Sequence, residues 1–207
     1  MLFRDHDLFI FDWDGTLSTS TLLVRATHVF KLRYNPDYIK RNSERFKAQM
    51  AAKMRAESDP SPLYRMMNRV YAMVANPKLK PGAVEIMERL KKRGKKTAIF
   101  SDSNRYRLFI ETRTLGMLDR VDFVLSSDAV RSYKPNPAGI KGIIERFRIP
   151  KSRCVYIGDM AVEIFTARFA GIHSCSLADG LDPYFLLKSN KPDYIFRGTD
   201  SLLKALN

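Results

Sequence analysis

Four short polar clusters stand where apolar runs end, and their residue types suit phosphate chemistry. The first follows Leu8–Phe11 and reads Asp12-Trp13-Asp14-Gly15-Thr16-Leu17. In an extended chain residues two apart share a side, so Asp12 and Asp14 would lie roughly 6–7 Å apart and could flank a reacting group. The second, Ser101-Asp102-Ser103, follows the apolar run ending at Phe100. A hydroxyl beside the N–H groups of a starting helix makes a phosphate cradle. The third is Ser132-Tyr133-Lys134-Pro135-Asn136-Pro137. There Asn136 is the expected N-cap and Pro137 the first helical residue, with Lys134 just ahead of them. The fourth is Gly158-Asp159, with Glu163 one helical turn later. Asp12, Asp14, Asp159 and Glu163 gathered in one dry place would repel one another, so they call for a cation. Oxygen donors with positions left for water suit Mg²⁺.

These clusters can converge only if the elements between them carry them to one edge. Asp7–Trp13 reads as a buried strand. Further on, helices and strands alternate: helix Ala83–Lys92, strand Lys96–Phe100, helix Arg105–Leu115, strand Phe123–Leu125, helix Pro137–Phe147, strand Cys154–Ile157, helix Ala161–Ala170 and strand Ile172–Cys175. A short strand Tyr194–Phe196 and a helix Asp200–Leu206 close the pattern. Such alternation specifies an α/β fold, a doubly wound parallel sheet with right-handed crossovers. Ligands of such sheets sit beyond the carboxyl ends of the strands, where all four clusters fall. Residues 18–80 differ. They lack strand signals and read as three helices broken at Asn35-Pro36 and Asp59-Pro60-Ser61-Pro62. The expected organisation is therefore a core of residues 1–17 and 81–207 with a helical cap domain, 18–80, inserted after the first strand.

The 207 residues carry a net charge of +14. Residues 18–80 hold 13 Lys and Arg against 4 Asp and Glu, a balance of +9, which leaves +5 for the rest. A basic field attracts anions, phosphorylated metabolites and nucleic acid alike. No nucleic-acid motif or basic-aromatic repeat accompanies the charge, so a small phosphorylated substrate is the expected partner, with a nucleic-acid-binding or end-processing protein as the alternative ranked below it. No apolar run approaches the ~20 residues of a membrane span. The acidic residues around Leu8–Phe11 do not suit a signal peptide, and a cytoplasmic monomer or dimer is expected. Cys154 and Cys175 lack zinc-ligand spacing and read as buried small apolar residues. His6, His28 and His173 are scattered along the sequence with structural or surface roles expected.

Taken in order, Asp-x-Asp-Gly-Thr-Leu at 12–17, Ser101, Lys134-Pro135 and Gly158-Asp159 with Glu163 resemble the haloacid dehalogenase superfamily. The likeness is to the phosphoglycolate-phosphatase-like members with a helical cap on a Rossmann-like core, and it runs over nearly the whole chain. The resemblance implies hydrolysis of a phosphate monoester through an aspartyl-phosphate. It makes Asp12 the nucleophile and a metal ligand. Asp14 becomes the acid/base, its carbonyl a further ligand. Ser101, with the adjoining Asp102, binds phosphoryl oxygens, and Lys134 balances charge. Asp159 binds Mg²⁺, and Glu163 supports the metal site. A phosphomutase would carry the same residues, whereas a dehalogenase lacks the second acid. Three positions depart from the pattern. Trp13 is bulkier than usual, Asp102 stands where Asn is common, and Glu163 where Asp is common.

Because the strand ends are occupied with the phosphoryl group, substrate choice is expected in the basic cap. Arg25, on its first expected helix, and Arg65, on the third, are the candidates to meet an anionic part of the substrate. Arg25→Ala or Arg65→Ala is expected to raise KM on the physiological substrate. Steady-state kinetics giving unchanged KM and kcat for both would remove the assignment.

Overall fold

The computed structural model describes residues 2–19, 66, 70 and 77–206. The expected cap lies outside these residues except for 18–19, 66, 70 and 77–80, and Arg25 and Arg65 lie outside them too. Met66 and Val70 are helical and more than half exposed.

The described elements are α1 (Leu2–Asp5), β1 (Leu8–Phe11), α2 (Ala83–Lys92), β2 (Lys96–Ser101), α3 (Arg105–Thr114), β3 (Phe123–Ser126) and α4 (Ala138–Phe147). They continue with β4 (Cys154–Gly158), α5 (Ala161–Ala170), β5 (His173–Leu177), α6 (Tyr184–Ser189), β6 (Tyr194–Phe196) and α7 (Thr199–Ala205). The strands form one six-stranded sheet in the order β3-β2-β1-β4-β5-β6, and every pairing is parallel. This is the doubly wound order, with β1 at the centre.

Both faces of β1 are covered, which explains its unbroken apolar run. Phe9 and Phe11, with Ile99, Val155 and Ile157, pack against Ile86, Met87 and Leu90 of α2 and Leu108 of α3. Leu8 and Ile10, with Ala98, Phe100 and Tyr156, pack against Ile140 and Ile143 of α4 and Ala167 of α5. Each Val, Leu, Ile, Phe or Met among them contributes roughly 1.5–3 kcal/mol on burial. Register then aligns the strand ends. Phe11 is level with Ile99 of β2 and with Ile157 of β4. The next residues on three adjacent strands are therefore Asp12, Phe100-Ser101 and Gly158-Asp159.

The sequence pattern differs from the fold at several places. The expected strand Asp7–Trp13 ends at Phe11, because the chain turns through Gly15 at φ 85°. Helix α6 carries no sequence signal of its own, its six residues being too few to show a helical period. Helix α4 begins at Ala138 rather than Pro137, though Asn136 Oδ1 does accept from Ala138 N at 3.0 Å. The two stretches expected to join core and cap run side by side. Thr19 N donates to Lys78 O at 2.7 Å and Lys80 N to Leu17 O at 2.9 Å. Both cysteines are buried and unbridged. His6 and His173, far apart in sequence, meet at 2.9 Å between Nε2 and Nδ1. Among the described residues no helix is long and apolar enough to cross a membrane.

Close packing of α4 on β2 depends on Gly139. A Cβ there would stand 2.3 Å from the Phe100 ring. Gly139→Ala is therefore expected to destabilise the fold by about 1–3 kcal/mol through overpacking, although Ala is the better helix former. Urea unfolding midpoints measure this, and a stabilised variant would contradict the packing argument.

Candidate active site

The site lies at the carboxyl ends of β1, β2 and β4, and it is built around one ammonium group. Asp12 is anchored by its own backbone, whose N–H donates to Ile157 O at 2.8 Å. Lys134 Nζ donates to Asp12 Oδ1 and, at 2.9 Å, to Glu163 Oε1. All three side chains are buried. Tyr156 packs beneath the lysine, its ring centroid 5.6 Å from Nζ, and its hydroxyl donates to Phe100 O at 3.1 Å. Glu163 Oε2 accepts from Met160 N at 2.7 Å, which ties the start of α5 to the site.

Asp159, fully buried, is held from both sides. Thr16 Oγ1 donates to its Oδ1 at 2.8 Å, and Leu181 N to its Oδ2 at 2.6 Å. Two glycines leave it room. A Cβ on Gly15 would stand 2.2 Å from Asp159 Oδ2, and one on Gly180 would stand 2.1 Å from it. Asp182, which the motif reading did not include, bridges Asp159 to α5. Its N–H donates to Asp159 O at 3.2 Å and its Oδ2 accepts from Ala161 N at 2.7 Å.

Burial dominates the electrostatics. It raises Asp12 to about 6, against the downward pull of Lys134. It raises Asp159 to about 7, with the nearby Asp12 charge adding to the shift and the Leu181 N–H opposing it. Burial also pushes Glu163 well above the ordinary glutamate value, with Lys134 again opposing. Burial works against the charge on Lys134, but Asp12 and Glu163 outweigh it and hold the ammonium form. Asp12 and Glu163 thus share the Lys134 ammonium, Asp159 is held by hydroxyl and backbone donors instead, and ionising all three buried carboxylates together calls for a further cation.

Asp14 does not follow the strand alternation expected of it, since β1 ends before it. Its Oδ2 accepts from Ser103 Oγ at 2.6 Å and its Oδ1 from Arg107 Nη2. Arg107 Nε donates to Glu111 Oε1 at 2.8 Å, and Trp13 Nε1 to Glu111 Oε2 at 2.6 Å. Trp13 is fully buried with Phe9 and Phe11, so the core accommodates the bulk that departed from the family pattern. Ser101 is buried, its Oγ accepting from Ser103 N at 3.1 Å. Asp102 is exposed. Its carboxylate accepts from Ser127 Oγ and, at 3.2 Å, from Lys134 N. The Asp102 side chain is thus engaged in holding the Lys134 loop.

Arg107, Glu111, Tyr156 and Asp182 were absent from the motif reading, and Ser103 appeared there only as the last residue of the second cluster. Arg107 and Glu111 carried one signal, their i,i+4 spacing. That spacing also describes Glu85 and Arg89, a pair on the exposed side of α2. Only burial separates them: the Arg107 and Glu111 side chains are 11% and 1% exposed.

Residues 6–171 match the family model of the haloacid dehalogenase-like hydrolases. The chain belongs to this family. Among its relatives is a candidate pyrophosphatase PpaX of Caldanaerobacter subterraneus, 31% identical over 130 residues, which cover 62% of this chain and 59% of that protein. A pyrophosphatase PpaX of Halalkalibacterium halodurans is 23% identical over 94% of both chains. Among solved structures, a predicted phosphoglycolate phosphatase from Haemophilus somnus superposes with a TM-score of 0.72 over 98% of both chains at 22% identity, a likeness of fold. This hydrolase therefore shares the doubly wound core of the family.

The raised carboxylates set a pH dependence. Folded Asp12 and Asp159 keep protons that the unfolded chain releases near its ordinary value of about 3.9. Between that value and about 7 the folded state binds more protons, so these groups lower stability as pH rises. In chelator, Asp12→Asn and Asp159→Asn are each expected to flatten the decline in urea midpoint between pH 4 and 7.5. A steeper decline in both variants would contradict the sign.

Proposed function

We propose that this hydrolase is a Mg²⁺-dependent phosphatase acting on a small-molecule phosphate monoester through an aspartyl-phosphate on Asp12. The observation that carries the reading is Asp12 buried beside Lys134 at the end of the central strand, in a chain of this family. The Asp12 carboxylate attacks phosphorus as the bond to the leaving oxygen breaks. Asp14 gives that oxygen its proton. A water then attacks the aspartyl-phosphate and passes its proton to Asp14, which frees phosphate and restores Asp12. Lys134 offsets charge on Asp12 and on the phosphoryl oxygens. Ser101 and the Asp102 segment supply hydrogen-bond donors to those oxygens.

The donor set fits Mg²⁺. Among the described residues no three His, Cys, Asp or Glu side chains form a metal cage by themselves. Mg²⁺ uses few carboxylates and keeps several waters, so that is no obstacle. Asp12, Asp159 and the Asp14 carbonyl would hold the ion, with Glu163 supporting them, and the cost of ionising these buried carboxylates without a further cation favours it. When bound, the ion polarises the phosphoryl oxygens and shields Asp12 from their charge. We assign residues 18–80 as the cap that selects substrate, with Arg25 and Arg65 as its anion contacts. A phosphomutase would differ in returning the phosphoryl group to a bound intermediate, whereas here water is the acceptor. The names carried by the relatives put pyrophosphate and phosphoglycolate first among substrates to try.

Phosphate release is measured on a panel of phosphorylated metabolites with and without Mg²⁺. The wild type is expected to turn over only with the ion, and Asp12→Asn to lose more than about 10³-fold, as removal of a nucleophile does. Equal rates for wild type and Asp12→Asn would overturn the mechanism. Phosphate moved within the substrate rather than released would overturn the hydrolase reading.

A further inference from the structure

The motif residues leave one buried ionic network unexplained. Asp14, Arg107, Glu111 and Trp13 form a continuous chain of hydrogen bonds from the edge of the site into the core. Arg107 uses its whole fork. Nη2 reaches Asp14 Oδ1 and, at 3.4 Å, Glu111 Oε2, while Nε reaches Glu111 Oε1 and Nη1 reaches Ser103 Oγ at 3.2 Å. Burying a guanidinium is costly unless its donors are matched, and here they are. Trp13 and Arg107 hold the two oxygens of Glu111, so Glu111 cannot turn without breaking a buried bond.

Two roles could justify such a network. Arg107 could bind an anionic part of the substrate, but its charge already faces two carboxylates, Asp14 and Glu111. The cluster as a whole is negative, which makes it a poor anion receptor. The other role is to hold Asp14. We propose that Arg107, braced by Glu111 and Trp13, is a positioning residue that fixes the orientation of the Asp14 carboxylate. The inference rests on the acid/base role assigned to Asp14 above.

The geometry also says which oxygen works. Arg107 has no acceptor, so Oδ1 stays an acceptor and remains clamped. Oδ2 faces the hydroxyl of Ser103, which can rotate and either donate or accept. Oδ2 is therefore the oxygen able to exchange the proton. It gives that proton to the departing oxygen as the phosphorus–oxygen bond breaks, and takes one from the water that cleaves the aspartyl-phosphate. Trp13 then has a defined task in this chain, because its indole N–H fixes Glu111, which fixes Arg107.

The test compares p-nitrophenyl phosphate with the best alkyl phosphate found in the panel above, for wild type, R107A, R107K, E111Q and D14N. Nitrophenolate leaves without needing a proton, whereas an alkoxide needs one. R107A is expected to lower kcat on the alkyl phosphate roughly 10- to 100-fold with KM changed by less than about threefold. Its first-turnover release of nitrophenolate should stay within about threefold of wild type, since that step asks nothing of Asp14. R107K should recover part of the loss, keeping the charge but not the fork. E111Q should show the same pattern more weakly, so the conclusion does not hang on R107A folding. First-turnover rates that fall alike on both substrates, or a change confined to KM, would overturn the inference. An impaired D14N with R107A at wild-type rates would overturn this inference alone. D14N with full alkyl turnover would overturn the acid/base assignment as well.

Discussion

One ammonium shared by two buried carboxylates, Asp12 and Glu163, is the interaction on which the site depends. Lys134 arrives from the loop ahead of α4, Asp12 from β1 and Glu163 from α5. Three separate stretches of chain are therefore pinned by a single Nζ. Removing water strengthens these contacts, and the same burial makes each unpaired carboxylate costly. The surroundings answer that cost with fixed donors. Thr16 and the Leu181 N–H hold Asp159, the Met160 N–H holds Glu163, and Asp102 holds the backbone of the lysine loop itself. One ammonium cannot balance Asp12, Asp159 and Glu163 once all are ionised, which is the physical reason a divalent cation belongs to the proposed chemistry.

The sheet makes this concentration of charge possible. Because β1 lies between β2 and β4 in parallel register, three chain ends emerge side by side at one edge. Apolar residues cover both faces below them. The carboxylates thus sit on a rigid platform, and the glycines at 15 and 180 let backbone approach Asp159 where any side chain would collide. Fold and chemistry share residues here, since the turn that ends β1 is also the turn that places Asp14.

A second charged network runs beside the first and serves a different purpose. Lys134 balances groups that would meet the phosphoryl centre, whereas Arg107 ties Asp14 to the hydrophobic core through Glu111 and Trp13. The two aspartates of one motif are thereby separated by their partners. Asp12 shares a lysine with Glu163, and Asp14 shares an arginine with Glu111. Different cations on either side of one residue give two nearby carboxyl groups distinct surroundings, which is how a pair of acids can hold distinct roles.

Much of this was legible in the residues alone. Alternating apolar runs and helix breaks specified the parallel sheet, because a strand buried on both faces must be apolar throughout. The four polar clusters at strand ends then marked the carboxyl edge. Asp12, Lys134, Asp159 and Glu163 were identifiable because motif spacing encodes their place on a known order of elements. The Asp14 surroundings were not. Arg107 and Glu111 have the spacing of an ordinary solvated helix pair, and Glu85 with Arg89 is one. Local sequence records which residues are four apart on a helix, but not which face the sheet will cover. That choice, with the meeting of Trp13 and Glu111 across 98 positions and of His6 with His173 across 167, is made only when distant segments pack. Contacts at such separation depend on the whole core, so tertiary structure alone decided them.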